Sequence, residues 1–317
     1  MTDSRVLVLA GGLSPERDVS IRSGRRVAEA LRDNGVEVEV RDVDDSLLAS
    51  LRIDPPSCVV PLLHGAAGED GALRDVLDAL GVVYVGSSAD GCRAAFDKPS
   101  SSARLRDKGI TVPRSVALPH AAFRELGAAA VLEAFVGSLG LPLVVKPSKG
   151  GSALGVTVVR DASELPTAMV GAFAYGDTVM LEEYIDGTEI AVCVIDDGTE
   201  VTALPAVEIC PDGPFYDYQS RYTAGSTEFF VPARLDAAVV AQAQRIAIAA
   251  HTELGLRDLS RADLIVDGHG RVVLLEMCVA PGMTETSLFP QAVVAAGRDL
   301  GEVVATLVEV ARSRARS

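Results

Sequence analysis

The sequence predicts an α/β protein, and three observations carry that prediction. Between residues 5 and 88, short apolar runs alternate with helical periods, as the strands and helices of a parallel sheet covered on both faces do. In the middle of the chain, a glycine-rich segment sits between two β-branched runs, strand to strand. Near the end, the turn signal "DGHG" separates two further β runs.

The elements follow in order. "RVLVLAGG" is a short apolar β run ending in a glycine turn. The next segment places Ile21, Gly24, Val27, Ala28 and Leu31 on one helical face and is stopped by Asn34-Gly35. "VEVEVRDV" alternates as a strand does, and "SCVVPLLHG" is a second buried run. "GALRDVLDALG" reads as a helix with Leu73, Val76, Leu77 and Leu80 on one stripe, and "VVYVGSS" as a third apolar strand. Ligands of such a sheet bind at the carboxyl ends of its strands, where "GGLSPERDVS", "LHGAAGEDG" and "VGSSADG" fall. No G-x-G-x-x-G follows the first glycine pair, so a dinucleotide is weakly supported.

"LPLVVKPSKGGSALGVTVVRD" differs from a P-loop, which runs from strand to helix. It predicts a hairpin with a glycine-rich tip, either a plain connection or a flap whose backbone N–H groups meet phosphate oxygens. "VMLEEYIDGTEIAVCVI" gives two more strands around the turn Asp186-Gly187. "FYDYQSRYTAGSTEFFVPARL" has no clean period and predicts an ordered loop, either functional, as its length and composition suggest, or a plain connection. A long helix, "DAAVVAQAQRIAIAAHTELG", leads into the final hairpin.

Composition narrows the function. The chain of 317 residues carries a net charge of −15, which argues against nucleic acid or an anionic membrane as partner. Its longest apolar runs are too short to cross a bilayer, and the start, "MTDSRVLVLAGG", lacks the pattern of a signal peptide. Five scattered cysteines suggest reduced thiols, so a cytoplasmic location is expected. An acidic protein that binds phosphate must concentrate its cations or recruit a metal. Only four lysines occur, Lys98, Lys108, Lys146 and Lys149, against 25 arginines, so a lysine can mark a place where a compact ammonium is wanted.

The final hairpin allows arithmetic. Folding it about His269 and Gly270 sets Asp263 opposite Glu276 and Arg261 opposite Cys278, all four on one face. Two carboxylates side by side repel unless a cation joins them. On otherwise apolar strands, they predict a divalent cation site, with magnesium carrying nucleotide phosphates as the usual occupant.

Seven segments in register resemble the D-alanine–D-alanine ligases of the ATP-grasp superfamily: "GGLSPERDVS", "LHGAAGEDGALRDVLDALGVVYVGSS", "FDK", "VVKPSKGGSALGV", "FYDYQSRYTAG", "RADLIVDGHGRVVLLE" and "PGMTETSLFP". The resemblance implies an ATP-grasp fold, α/β overall and α+β in its ATP-binding part. It implies three domains: a Rossmann-like substrate domain (1–98), a central domain with the flap (99–183) and a C-terminal domain (184–317). The implied reaction phosphorylates the carboxylate of one D-alanine with ATP, then lets the amine of a second attack the acyl phosphate, for peptidoglycan precursor synthesis. Lys98 and Lys146 are similar to the phosphate-binding lysines, Asp263 and Glu276 to the magnesium ligands (manganese being the alternative ion), and Arg261 to the oxyanion-stabilising arginine. Glu16, Ser152 and Tyr222 match a hydrogen-bonded triad at the first substrate. His64, Gly282, Ser287 and the Leu288 backbone match substrate-binding positions, and Glu182, Glu189 and Arg221 match ATP-binding ones. Tyr222 implies an amine, not a hydroxy acid, as second substrate, and the family implies a homodimer.

The chain departs from the family at the ATP and metal sites. Cys278 replaces a metal-binding asparagine, and a soft thiol is a poor magnesium ligand. Arg221 replaces a lysine, Glu183 stands where a lysine often meets adenine, Ala153 replaces a serine and Gly150 an acid. These changes suggest a divergent paralogue and keep two alternatives open. One is the same ligase chemistry on another amino-acid-like pair, in specialised metabolism or resistance. The other is a catalytically weak protein that binds ATP or an amino acid.

Overall fold

Strand β1 (Val6–Leu9) is buried at every residue and lies between β2 (Val38–Arg41) and β3 (Cys58–Pro61) in a parallel sheet of order β2-β1-β3. The computed structural model describes residues 4–213, 216, 221 and 225–316. The helix Arg17–Asp33 covers this sheet with Val19, Gly24, Val27, Ala28 and Leu31, while Ile21 is half-buried. Gly24 is there because a Cβ would lie 2.4 Å from the Cβ of Ala10. The "VVYVGSS" run forms only an isolated parallel bridge, Val59 to Tyr84. Its pairing stops where Gly86, at φ +106°, turns the chain toward Ser88, whose side chain caps the helix Ala89–Phe96. In the helix Ala72–Ala79, Leu77 is fully buried as expected, but Arg74 is buried beside it.

The second sheet is antiparallel throughout: β4 (Ser115–Pro119), β5 (Leu143–Pro147), β6 (Thr157–Val159) and β7 (Thr178–Glu183), in the order β4-β7-β5-β6. The glycine-rich segment joins β5 to β6, so it is the tip of a hairpin, as its flanking sequence predicts.

The third sheet contains β8 (Gly187–Asp196), β9 (Val201–Ala203), β10 (Val207–Pro211), β11 (Thr227–Phe230), β12 (Leu259–Asp267) and β13 (Val272–Cys278). Its order is β11-β10-β8-β12-β13, with β9 on β8. The turn after β7 therefore crosses between sheets and does not close a hairpin. Central strand β8 is apolar without alternation because both its faces are buried. Ile190, Val192 and Val194 enter a core with the helix Ala237–Glu253. Ala191, Cys193 and Ile195 enter another, shared with Val6, Val8, Leu31, Phe289 and Leu307. Through that shared core the first sheet is packed against the third, which brings the carboxyl end of β3 to the end of β13. No helix among the described residues is long and apolar enough to cross a membrane.

The contact at Gly24 gives a test. Gly24→Val should destabilise the fold by about 1–3 kcal/mol through overpacking, read as a lower urea midpoint with an unchanged slope.

Candidate active site

The β12–β13 ladder sets the site. Its register pairs Arg261 with Cys278 and Asp263 with Glu276, then slips so that Leu264 meets Leu274. Leu275 is the extra residue of a β-bulge, a feature common beside active sites because it re-aims side chains. Without it, the pairing nearest the turn would continue and set Asp263 against Leu275.

Each carboxylate has its own cation. Arg261 donates from Nε to Asp263 Oδ1 at 2.6 Å and from Nη2 to Oδ2 at 2.8 Å, which leaves Nη1 for a ligand. Lys98 Nζ lies 3.1 Å from Glu276 Oε2 and donates to the Gly150 carbonyl at 2.6 Å, tying β13 to the glycine-rich tip. Lys98 is fixed at the start of the helix Lys98–Asp107, where the Asp97 carboxylate caps the Ser100 N–H. Burial alone would raise Glu276, but Lys98, Lys146 and Arg221 outweigh it and hold the carboxyl at about 2.

Lys146 on β5 and Glu182 on β7 form a buried pair at 2.6 Å. The other Glu182 oxygen, Oε2, is buried without a partner among the described residues. Glu189 on β8 is pushed up to about 7 by burial, against the pull of Arg221. Arg221 lies 4.3 Å over the ring of Tyr216. Glu183 turns to Arg114, whose Nε donates to it at 2.8 Å.

These side chains line a cavity of about 370 Å³, which Lys98, Lys146, Glu182, Glu189, Asp263 and Glu276 share with Arg221. A smaller recess adjoins it, where Glu16, His64, Ser152, Arg261 and Cys278 meet. A third holds Gly282, Ser287 and Leu288 against His64 and Arg261. The sequence-predicted residues thus converge on three adjoining spaces; Tyr222 lies outside the described residues, as do 214–215, 217–220 and 223–224.

At the glycine-rich tip, Ser152 and Ala153 adopt φ of +51° and +56°, a left-handed turn that carries the Ser152 hydroxyl to the Glu16 carboxylate. His64 Nδ1 lies 3.1 Å from the Ala280 carbonyl, so it carries the proton, and burial lowers the imidazole pKa. Ser287 Oγ accepts the Thr284 N–H at 3.0 Å and lies 2.8 Å from the Thr284 hydroxyl.

One residue was missed. Glu69, from "GAAGEDG", is buried 3.9 Å from the Cys278 sulfur. Burial, and then Glu16, push its carboxyl up to about 7. An acid within a glycine turn at the carboxyl end of β3 was the available signal. Burial, and then Glu69, likewise raise the Cys278 thiol, which stays protonated.

Taken together, clustered cations over a ligand-sized cavity and two facing carboxylates suit a polyphosphate with a divalent ion. The fold and this site define an ATP-grasp enzyme, a ligase. Residues 105–309 match the family described as D-ala D-ala ligase C-terminus. The D-alanine–D-alanine ligase of Anaeromyxobacter dehalogenans is 41% identical over 301 residues, covering 94% of this chain and 93% of that protein. Among solved structures, VanG D-Ala:D-Ser ligase from Enterococcus faecalis superposes with a TM-score of 0.86 at 26% identity, covering 98% of this chain and all of the other (100%). The ATP complex of D-alanine–D-alanine ligase from Bacillus anthracis gives 0.82 at 28%, covering 99% of each. The chain belongs to the D-alanine–D-alanine ligase family.

Glu69 yields a pH prediction. Its ionisation in the folded state near 7, above the ordinary 4.5, means that stability is fully present below 4.5 and is lost as pH rises through 7. Glu69→Gln should therefore match the wild type at pH 4.5 and exceed it at pH 7.5 by up to about 3 kcal/mol, measured by thermal unfolding across that window.

Proposed function

We propose that this chain makes D-alanyl-D-alanine from two D-alanines and ATP through an acyl phosphate, releasing ADP and phosphate, as a step in peptidoglycan precursor synthesis. The observation that carries the reading is the convergence of Lys98, Lys146, Arg261, Asp263 and Glu276 on adjoining spaces beside Glu16 and Ser152. The three sheets support a division into units 1–98, 99–183 and 184–317. The protein works in the cytoplasm as a homodimer.

Adenine lies toward Glu182, whose Oε2, unpartnered among the described residues, is an acceptor for an amino N–H. The ribose lies toward Glu189, and the phosphates lie along Lys98, Lys146 and Arg221. Glu16, already joined to Ser152, holds the ammonium of the first D-alanine, and Tyr222 completes that group. A carboxylate oxygen of this substrate attacks the γ-phosphorus, the bond to the β-phosphate oxygen breaks, and ADP departs. Catalysis here is positioning and charge neutralisation by the lysines. The second D-alanine is held by its carboxylate at Ser287 and the Leu288 backbone, between Gly282 and His64. Its amine, after the ammonium has lost one proton to solvent, attacks the acyl carbon, and the Arg261 guanidinium stabilises the oxyanion. The carbon–phosphate oxygen bond breaks as the nitrogen gives its second proton to the departing phosphate.

Magnesium fits the residues present. Two facing carboxylates at a phosphate-sized space are what it takes, with phosphate oxygens and water completing its shell. Among the described residues no group of three or more His, Cys, Asp or Glu side chains gathers to hold an ion, so the nucleotide must contribute. Asp263 and Glu276 would hold it after releasing Arg261 and Lys98, and Cys278, a protonated thiol, would contribute little. When bound, the ion supplies neutralisation of phosphate charge; manganese suits the same oxygens.

A second reading is favoured by the likeness to a D-Ala:D-Ser ligase: D-serine as the second amino acid. ADP release with magnesium, ATP and D-alanine alone is the expected outcome, on the order of 1–10³ turnovers per second. Release that requires D-serine supports the second reading, and none with any amino acid pair overturns both. In the same assay Cys278→Asn should bring half-saturation at a lower magnesium concentration, because an amide oxygen is the harder donor; an unchanged titration would remove Cys278 from the account of the metal site.

A further inference from the structure

Arg74 is a charged residue of the helix Ala72–Ala79, yet its side chain is 2% exposed. Its Nε and Nη1 have no hydrogen-bond partner among the described residues. A buried cation left unpaired costs several kcal/mol, so native structures pair such groups or place an ion or water against them.

The nearby acids are committed elsewhere. Asp75 pairs with Arg93, and Asp78 accepts the Tyr84 hydroxyl. Both oxygens of Asp258 bind Arg314, and one also accepts the Gly86 N–H. Glu69 accepts the Gly65 N–H. The aromatic contact does not compensate: the Arg74 guanidinium carbon is 6.0 Å from the Tyr84 ring centre. A second cation, Arg257, lies 5.2 Å from the same ring. Among the described residues no carboxylate is hydrogen-bonded to the Arg74 guanidinium, and a second guanidinium, that of Arg257, shares its surroundings.

Arg74 also lines a cavity of about 30 Å³, with His64, Gly86, Val279, Phe289 and Leu307 around it. That is room for one or two waters or a single small ion. A Cβ on Gly86 would lie 3.6 Å from Arg74 Nη2, so the glycine leaves space beside the guanidinium. Apart from His64, the remaining wall is mostly apolar, so a ligand there is held chiefly by the guanidinium, as an anion is.

We propose that this cavity, between the first sheet and the C-terminal helices, binds one small monovalent inorganic anion of the halide class against Arg74. Crystals of the whole protein equilibrated in sodium bromide test it by anomalous diffraction. The expected result is a bromide peak in the cavity beside Arg74, absent from Arg74→Gln. A cavity holding only water in the wild type overturns the proposal, and that arm stands even where the variant folds poorly. In solution, replacing gluconate by chloride at equal ionic strength should raise the wild-type Tm by about 2–4 °C and leave Arg74→Gln unmoved. An equal Tm in both salts would overturn it as well.

Discussion

The site depends on a single ammonium. Lys98 starts a helix, holds the Gly150 carbonyl of the glycine-rich tip and pairs with Glu276 on β13. A charge so deeply placed persists only beside an opposite charge, and Glu276 supplies it. In turn, Glu276 stays ionised only because Lys98, Lys146 and Arg221 surround it. The three sheets thus meet around a set of charges, none of which is tolerable alone. A ligand bearing several negative charges can enter such a set by exchanging partners.

Much of the fold was legible because its periods are local. The parallel opening, the strand-to-strand hairpin and the final β12–β13 pair all follow from alternation and turn signals. The facing of Asp263 and Glu276 was read correctly, but from an unbulged hairpin. In the folded chain the residues nearest the turn pair one position off, and Leu275 restores the register just before the site. Bulges depend on how a strand packs, which spacing cannot show. The same limit explains Tyr84, whose run pairs through one bridge because the chain turns at Gly86.

Arg74 and Glu69 were illegible for a different reason. Each is a charged residue in a segment whose pattern is otherwise satisfied, so sequence assigns it to solvent. Burial comes from outside the segment: the C-terminal helices and Val279 close over Arg74, and β13 closes over Glu69. Family resemblance filled the gap for Glu16, Ser152 and Ser287, which sit on separate elements and share no spacing rule. It named no role for Glu69 or Arg74, although both lie in one of the segments that carry the resemblance.

Cys278 is best understood through the same charges. Where the resemblance implies an asparagine, a cysteine at the end of β13 would offer no hard oxygen beside Glu276. That carboxylate does not depend on residue 278, because its ionisation is fixed by three cations on other elements. Nor does the thiol add a competing anion, since burial and Glu69 keep it protonated. On that reading a cysteine at 278 subtracts one donor and leaves undisturbed the charge balance that positions Lys98 and the glycine-rich tip. A site organised by ion pairs can lose a neutral ligand and keep its architecture, whereas loss of Lys98 would leave Glu276 facing Glu69 across a buried recess.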